Sequence, residues 1–246
     1  GPFRGHRNPV ALESAEMPVG ERTGKPSIAA GQWRITLAPG ETWTLQSALG
    51  VQPNDDTTEH RAQIGALQHP DTYRDAWERT RAHWASLFDA VEVETPEPAI
   101  NAMVNTWNKY QAVINSTCGR GPSYYHKMQY HGMRDSCQDT FGIIPLDPAQ
   151  ARANILRIAG FFFSDGRCGG GCNRIGIPEP PADKADLPLW LSLTVTDYLR
   201  ETGEFALLDE VVPLMDGGAS TVYDKMLAGI DRMLEDRGPH GLPLIG

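Results

Sequence analysis

Apolar side chains recur at two spacings along the chain, and the change of spacing separates a short β-type segment from a longer helical one. Apolar and polar residues alternate over residues 32–37 and again over 43–45, a period of two that is typical of strands. The intervening Ala38-Pro39-Gly40-Glu41 has the composition of a tight turn, because proline fixes one φ and glycine accepts a positive one. The pattern predicts a hairpin that is too small to be stable alone, so residues 1–53 are predicted to be the tail of a larger β domain.

From Pro70 onward, large apolar residues recur every three or four positions, which is the spacing of an amphipathic helix. Residues 70–88 are predicted to form a linker helix within a helical linker, residues 54–94, and its aromatic side chains are interpreted as packing groups rather than as a sugar platform. Thr95-Pro96-Glu97 then has the composition of a helix start. The later apolar stripes consist of Ile100, Met103, Val104, Trp107, Tyr110 and Ile114; Ile155, Ile158, Ala159, Phe162 and Phe163; Trp190, Leu193, Thr194 and Tyr198; and Val222, Met226, Ile230 and Met233.

Boundary residues accompany these stripes. Asp147-Pro148 is predicted to open the second of them, Thr202-Gly203 to end the third, and Gly238 to end the fourth. Loops rich in glycine and proline separate the stripes, and no strand pattern intervenes. The chain after residue 95 is therefore predicted to consist of packed helical hairpins, an all-α arrangement.

Charge and cysteine content narrow the class of protein. The formal net charge of −9 over 246 residues argues against a nucleic-acid partner, which would favour a basic surface. The chain has no run of eighteen apolar residues and so no predicted transmembrane helix. Of its four cysteines, Cys168 and Cys172 flank three glycines. They are interpreted as incidental thiols in a flexible loop rather than as half of a metal site, which favours a reducing, cytoplasmic compartment.

The most informative group of hydrogen-bonding side chains is the run from Arg134 to Asp139, Arg-Asp-Ser-Cys-Gln-Asp, which comes just before an apolar turn. In a helix, Arg134 and Gln138 share a face, because residues four apart are neighbours there. A guanidinium beside carboxylates and an amide offers paired donors and acceptors that match vicinal sugar hydroxyls. An ion-paired helix cap within a core is the alternative, and the local sequence leaves both open.

An ordered series of segments accompanies this run. The segments are residues 105–111, Arg120 with Ser123-Tyr124-Tyr125, residues 147–152, 187–191, 201–204, 208–213 and 238–246. Taken in this order, the series resembles glycoside hydrolase family 94, the inverting β-glucoside phosphorylases and the related cyclic β-1,2-glucan synthases. The resemblance runs over most of the chain and is strongest from about residue 95 to 246.

The resemblance implies a fold and a reaction. The fold class expected is mostly α: residues 95–246 form the N-terminal part of a truncated (α/α)6 barrel, after the helical linker 54–94 and the C-terminal strands of a β-sandwich domain in 1–53. The reaction expected is reversible cleavage of a β-linked gluco-oligosaccharide by inorganic phosphate to give α-glucose 1-phosphate. Phosphate replaces the water of an inverting hydrolase, so one protein carboxyl is enough. Phosphate is a co-substrate, no metal or organic cofactor is expected, and the full-length protein is expected to be a homodimer.

The resemblance also implies site residues. Arg134 and Asp139 match the family's Arg-Asp-x-x-Gln-Asp pattern, in which the arginine and the last aspartate hold the non-reducing glucosyl ring and Gln138 lies between them. Arg120 matches a second arginine near sugar and phosphate. Asp186 stands where the family has aspartates before a tryptophan, and its alternative role is to cap the helix of Trp190.

Other family features are absent or altered. The family's general acid is an aspartate in a Gly-Asp-Trp-Asn-Asp-Gly motif that is expected after Gly246, so the fragment itself is expected to be inactive. Residues 168–173 stand where many members have a His-Trp-Trp-like segment on the acceptor side. The polar run from His126 to His131 is interpreted as lining the sugar cleft, with a solvated loop as the alternative.

Two other functions stay open at the level of sequence. One is an inverting hydrolase on a similar helical barrel, which would need a second carboxylate roughly 6.5–9.5 Å from the acid to activate water. The other is a non-catalytic carbohydrate-binding fragment. The first is distinguished from a phosphorylase by a catalytic base in place of phosphate ligands.

Overall fold

The computed structural model describes residues 31–47, 58–67, 69–119, 130–173 and 184–244, and the chain divides into two compact units, Gly1–Leu49 and Gly50–Gly246. In the first unit the predicted turn is confirmed, since the Glu41 N–H donates to the Ala38 carbonyl at 3.0 Å. The predicted strands beside it are wrong, because residues 31–47 contain no strand. Alternation produces a strand only where a ladder and a second layer are available, and here Trp33 and Leu37 stay about half exposed.

The second unit is mostly helical, as predicted. Its helices are α1 Thr58–Leu67, α2 Pro70–Asp89, α3 Pro98–Ala102, a π-helical turn Met103–Asn108, α4 Lys109–Cys118, α5 Met133–Ile143, α6 Pro148–Ala159, α7 Leu187–Thr202, a 3-10 turn Phe205–Asp209 and α8 Val222–Glu235. Within the described residues, none of these helices is both long enough and apolar enough to cross a membrane. The (α/α)6 barrel and the β-sandwich stay predictions.

Among the residues that the structure describes, two antiparallel ribbons interrupt the helices. Strand β1, Tyr130–Gly132, pairs with β2, Gly171–Asn173, and β3, Val211–Pro213, pairs with β4, Ala219–Thr221. The prediction that the chain is helical throughout after residue 95 is therefore wrong. Strands of three residues are too short to show a period of two, so hydrophobic pattern alone does not detect them.

Helix boundaries follow their capping residues. The Asp147 carboxylate accepts from the Gln150 N–H at 3.0 Å and so opens α6 as predicted. The Thr221 hydroxyl accepts from the Asp224 N–H at 3.0 Å at the start of α8. Helix α7 ends at Thr202 before Gly203, as predicted. Helix α8 ends at Glu235, ahead of the predicted stop at Gly238.

The core lies where α5, α6 and α7 pack together. Its fully buried side chains include Met133, Cys137, Ile143, Ile155, Ile158, Phe162, Leu191, Val195 and Tyr198. Three residues predicted to be apolar contacts differ: Phe163 is only partly buried, and Leu193 and Ile230 are 53% and 36% exposed. An apolar stripe predicts a packing face, but the helix surface curves, so residues at its edge remain in contact with water.

The stripe that runs from α3 through the π-helical turn into α4 is also more exposed than predicted. Ile100, Met103 and Trp107 are each about half exposed. Contact with α2 is made instead through aromatic rings, with Trp84 and Tyr110 centroids 5.2 Å apart. The packing interpretation of the α2 aromatics thus holds for Trp84, whereas Trp77 is 54% exposed.

Two asparagine side chains form hydrogen bonds that connect the segment between α2 and α3 to the helix that follows. The Asn105 amide both accepts from the Val93 N–H at 2.9 Å and donates to the Val93 carbonyl at 2.8 Å. Asn101 does the same with Thr95, at 2.8 and 2.9 Å. Two residues of extended chain advance by about 6.6–6.8 Å and four residues of helix by about 6 Å, so successive helical turns meet alternate residues of the segment.

Lys109, one further turn along, completes this ladder. Its buried ammonium donates to the carbonyls of Val91 and Phe88. The Phe88 carbonyl belongs to the last turn of α2, where carbonyls lack intrahelical partners and a positive charge is favoured by the helix dipole. One buried lysine therefore connects the end of α2 to the start of α4.

Replacing Asn105 with alanine is expected to lower the free energy of unfolding by about 2 kcal/mol, because both backbone groups of Val93 lose their partner. Amide hydrogen exchange at Val93 should accelerate in the same variant. Denaturant titration and exchange measured by mass spectrometry would test both. Asn108→Ala, at an exposed position in the same π-helical turn, is the matched control and should change neither quantity. Equal effects in the two variants would contradict a stabilising role for the hydrogen bonds between Asn105 and Val93.

Candidate functional site

The β1–β2 ribbon fixes where α5 begins. Strand β1 runs directly into α5, and the Met133 N–H donates to the Gly170 carbonyl at 2.8 Å. Gly171 approaches so closely that a Cβ there would lie 2.1 Å from the His131 carbonyl oxygen, at a φ of 143°. Since Arg134 is the second residue of α5, its position follows from this backbone packing.

The glycine segment is therefore closely packed, and its last residues form β2, a strand that the loop interpretation did not predict. Cys168 and Cys172 are 1% and 2% exposed and belong to the core. Burial raises the pKa of the Cys168 thiol to about 12, with Cys137 and Asp186 adding to the shift. Burial also raises the pKa of Cys137 to about 12. These two thiols are neutral at physiological pH and so do not act as nucleophiles.

Arg134 reaches across to the start of α7. Its Nη1 donates to Asp186 Oδ2 at 2.8 Å, and the indole Nε1 of Trp190 donates to the same oxygen at 3.0 Å. The Trp190 ring packs against the Phe141 ring of α5, with the ring centroids 6.5 Å apart. The side chains of Arg134 and Asp186 are 45% and 46% exposed, so this pair can be reached from solvent.

The surroundings keep Asp186 ionised. Partial burial raises the pKa of its carboxyl, but the Trp190 and Arg134 hydrogen bonds and the Arg134 charge outweigh that effect, and the pKa lies below its ordinary value. Asp186 occupies the N-cap position of α7 without a side-chain capping bond. The alternative role as a helix cap is therefore wrong, because its carboxylate turns to Arg134 and Trp190 instead.

Asp139 of α5 lies close enough to His131 of β1 to affect the pKa of its imidazole. Asp139 is buried on α5, and its charge raises the pKa of His131. Burial first, and then the Arg157 charge, outweigh this effect and hold the His131 pKa below its ordinary value, so the imidazole is neutral at pH 7. His131 also packs against Gly119, where a Cβ would lie 3.0 Å from the ring.

The structure brings some of the predicted site residues together, and others lie outside the described residues. Arg134, Gln138 and Asp139 share α5, with Gln138 exposed, and Asp186 joins Arg134 from α7. Arg120 lies outside the described residues, as do residues 126–129 of the polar run. The indole hydrogen bond of Trp190 was not predicted, although its signal is present in the sequence: Trp190 follows Asp186 by four residues at a helix start.

The arrangement suits recognition of a polar, hydroxyl-rich ligand. The bond to Asp186 engages one of the five N–H groups of the Arg134 guanidinium. A planar guanidinium with a fixed orientation can donate to two neighbouring hydroxyls at once. Within the described residues, no group of three or more His, Cys, Asp or Glu side chains is arranged to hold a metal ion.

Comparison with known proteins gives a consistent set of relatives. A family model described as "Glycosyl hydrolase 94 superfamily, catalytic domain" matches residues 83–246. The chain is 31% identical over 210 residues to solabiose phosphorylase of Paenibacillus borealis, and this alignment covers 85% of this chain and 26% of that protein. It is 29% identical over 270 residues to the cyclic beta-(1,2)-glucan synthase NdvB of Rhizobium meliloti (strain 1021), covering 99% of this chain and 9% of that protein.

A third relative is N,N'-diacetylchitobiose phosphorylase of Vibrio furnissii, 25% identical over 269 residues, which covers 98% of this chain and 33% of that protein. The chain thus spans between about a quarter and a third of the length of these two phosphorylases. The matched region includes Arg134, Asp139 and Asp186.

Proposed function

Because the chain belongs to the glycosyl hydrolase 94 superfamily, we propose that it is part of an inverting β-glucoside phosphorylase. The reaction is the reversible cleavage of a β-linked gluco-oligosaccharide by inorganic phosphate, which gives α-glucose 1-phosphate. Phosphorylases recur among the relatives, including those of solabiose and N,N'-diacetylchitobiose. The observation that carries the proposal is the half-exposed guanidinium of Arg134, which Asp186 holds at 2.8 Å.

In this proposal Arg134 and Asp139 bind the donor glucosyl ring. Arg134 donates to ring hydroxyls, and the carboxyl oxygens of Asp139 accept from them. Gln138, exposed one turn after Arg134, adds an amide, and Arg120 serves sugar and phosphate. The positive charge of Arg134 is already balanced by Asp186, so a neutral sugar can bind there without leaving an unpaired charge.

Asp186 does not suit the role of general acid. That role needs a carboxyl that keeps its proton near neutral pH, which requires a raised pKa, whereas Asp186 has a lowered one. We assign the acid to the aspartate of the family's Gly-Asp-Trp-Asn-Asp-Gly motif, which follows a segment like residues 240–245. Residues 1–246 alone are then inactive, and inorganic phosphate is the co-substrate, with no metal or organic cofactor.

The compartment proposed for the protein rests on its free thiols, and the proposed homodimer rests on its exposed aromatic side chains. Cys118, Cys137, Cys168 and Cys172 are all free thiols, which supports a reducing, cytoplasmic compartment. Tyr73 and Trp77 on α2 are about half exposed, and exposed aromatic surface supports a protein contact such as a homodimer.

The decisive experiment measures phosphate release from glucose 1-phosphate with glucose, cellobiose or sophorose as the acceptor. It compares residues 1–246 with a polypeptide that continues along the same reading frame to the length of the phosphorylase relatives. Release by the longer form alone would support the proposal. Hydrolysis of a β-glucan in phosphate-free buffer, with no synthesis, would assign the protein to the inverting hydrolases. Sugar binding by both forms without turnover would indicate a carbohydrate-binding module.

A further inference from the structure

Two donors meet on one oxygen at the junction of α5 and α7. Asp186 Oδ2 accepts from Arg134 Nη1 at 2.8 Å and from Trp190 Nε1 at 3.0 Å. Trp190 is partly buried, whereas Arg134 is exposed. Of the two donors on this oxygen, the partly buried indole anchors the carboxylate, and the exposed guanidinium is the one that a ligand can reach.

The indole is itself held by both helices. It lies one turn into α7, four residues after Asp186, and its ring packs on Phe141 of α5. Phe141 lies seven residues after Arg134 on α5, two turns along the same face. Trp190 is thus placed to fix the carboxylate relative to the helix that carries the guanidinium.

A lone Arg–Asp pair at this exposure would not hold one geometry. Exposed ion pairs gain little free energy because both side chains lose rotamer entropy and water screens the charges. A second donor on the same oxygen removes rotational freedom from the carboxylate before any ligand arrives. Preorganised groups bind more tightly because the ordering has already taken place in the free protein.

We propose that Trp190 is a positioning residue for the donor sugar: its indole N–H, acting through Asp186, holds the Arg134 guanidinium in the orientation that the sugar hydroxyls require. The inference rests on the proposed role of Arg134 in binding the donor. It assigns Trp190 a function beyond packing α7 against α5.

The first test is Trp190→Phe, which keeps an aromatic ring against Phe141 and removes the N–H. In the active enzyme the KM for glucose 1-phosphate should rise about tenfold, the expected effect of losing one hydrogen bond to a charged group, while kcat changes by less than about twofold. Trp84→Phe is the matched control, since Trp84 packs on α2 against Phe88 and Tyr110. It should leave KM unchanged.

The second test separates positioning from packing. If Trp190 acts through Asp186, then Trp190→Phe should have no further effect on KM in an Asp186→Ala background, which lacks the oxygen that both donors bind, because interacting residues are non-additive in a double-mutant cycle. A packing role predicts the same loss in both backgrounds. Full additivity would overturn the proposal.

The third test needs no substrate, so it distinguishes failure of this inference from failure of the proposed function. The Nε–Hε signal of Arg134, followed by ¹⁵N NMR, should show a slowly rotating guanidinium in the parent and a faster one in Trp190→Phe. The same rate in both proteins would overturn the positioning role whatever the activity. A faster rate in Trp190→Phe, together with no phosphate release by the longer form that retains Trp190, would uphold the positioning of Arg134 and reject the phosphorylase.

Discussion

Replacing Arg134 with alanine is expected to lower kcat/KM for glucose 1-phosphate by about a hundredfold or more, the loss typical of removing a charge-assisted hydrogen-bond donor from a binding site. Two consequences combine in this variant. The sugar loses its donor, and Asp186, which the guanidinium holds at 2.8 Å, keeps an unpaired negative charge beside an incoming ligand that is itself an anion. Initial rates in the synthesis direction, together with calorimetric binding of glucose 1-phosphate, would measure the effect.

Two further variants make the result specific. Arg134→Lys keeps the charge but loses the planar fork, so most of the loss should persist. Arg200→Ala removes the same charge from an arginine that is 77% exposed and pairs with Asp197 at 3.5 Å on α7, and it should leave kcat/KM within about twofold, as expected of a surface ion pair. Activity near the parent level in Arg134→Ala would exclude the donor site.

The sequence predicted those features that depend on neighbours along the chain. The run from Arg134 to Asp139 lies on one helix, since its spacing and its apolar companions are local properties. The N-cap at Asp147 and the end of α7 before Gly203 are likewise set by the residues at those positions. The family resemblance and the mostly helical class followed from such local segments taken in order.

Features that depend on distant residues were not predictable in the same way. Arg134 and Asp186 are 52 residues apart, and although Trp190 stands four residues after Asp186, the residues near Asp186 do not identify Arg134 as its partner. The β1–β2 ribbon joins segments 41 residues apart in register, His131 opposite Cys172. Its glycines resemble a flexible loop in sequence because glycine serves close backbone packing and mobility equally well.

The close packing at that ribbon leads to the largest expected effect on stability. Gly171→Ala should lower the free energy of unfolding by about 4 kcal/mol or more, because the substitution combines backbone strain with a steric clash. At a φ of 143° the new Cβ would lie 2.1 Å from the His131 carbonyl oxygen and 2.8 Å from the Gly132 Cα. Both contacts are with backbone, so no side-chain rotation can relieve them. Chemical denaturation followed by circular dichroism would measure the change.

Gly203→Ala separates the two contributions. Gly203 also has a positive φ, 69°, but a Cβ there would meet nothing within 4 Å, so this variant should lose only about 1 kcal/mol from strain alone. The difference between the variants is then the clash at the ribbon. Because the Met133 N–H bonds to Gly170 beside this clash, Gly171→Ala should also displace the start of α5 and weaken sugar binding through Arg134. Equal losses of stability in the two variants would show that the ribbon can move aside, and that it does not fix Arg134.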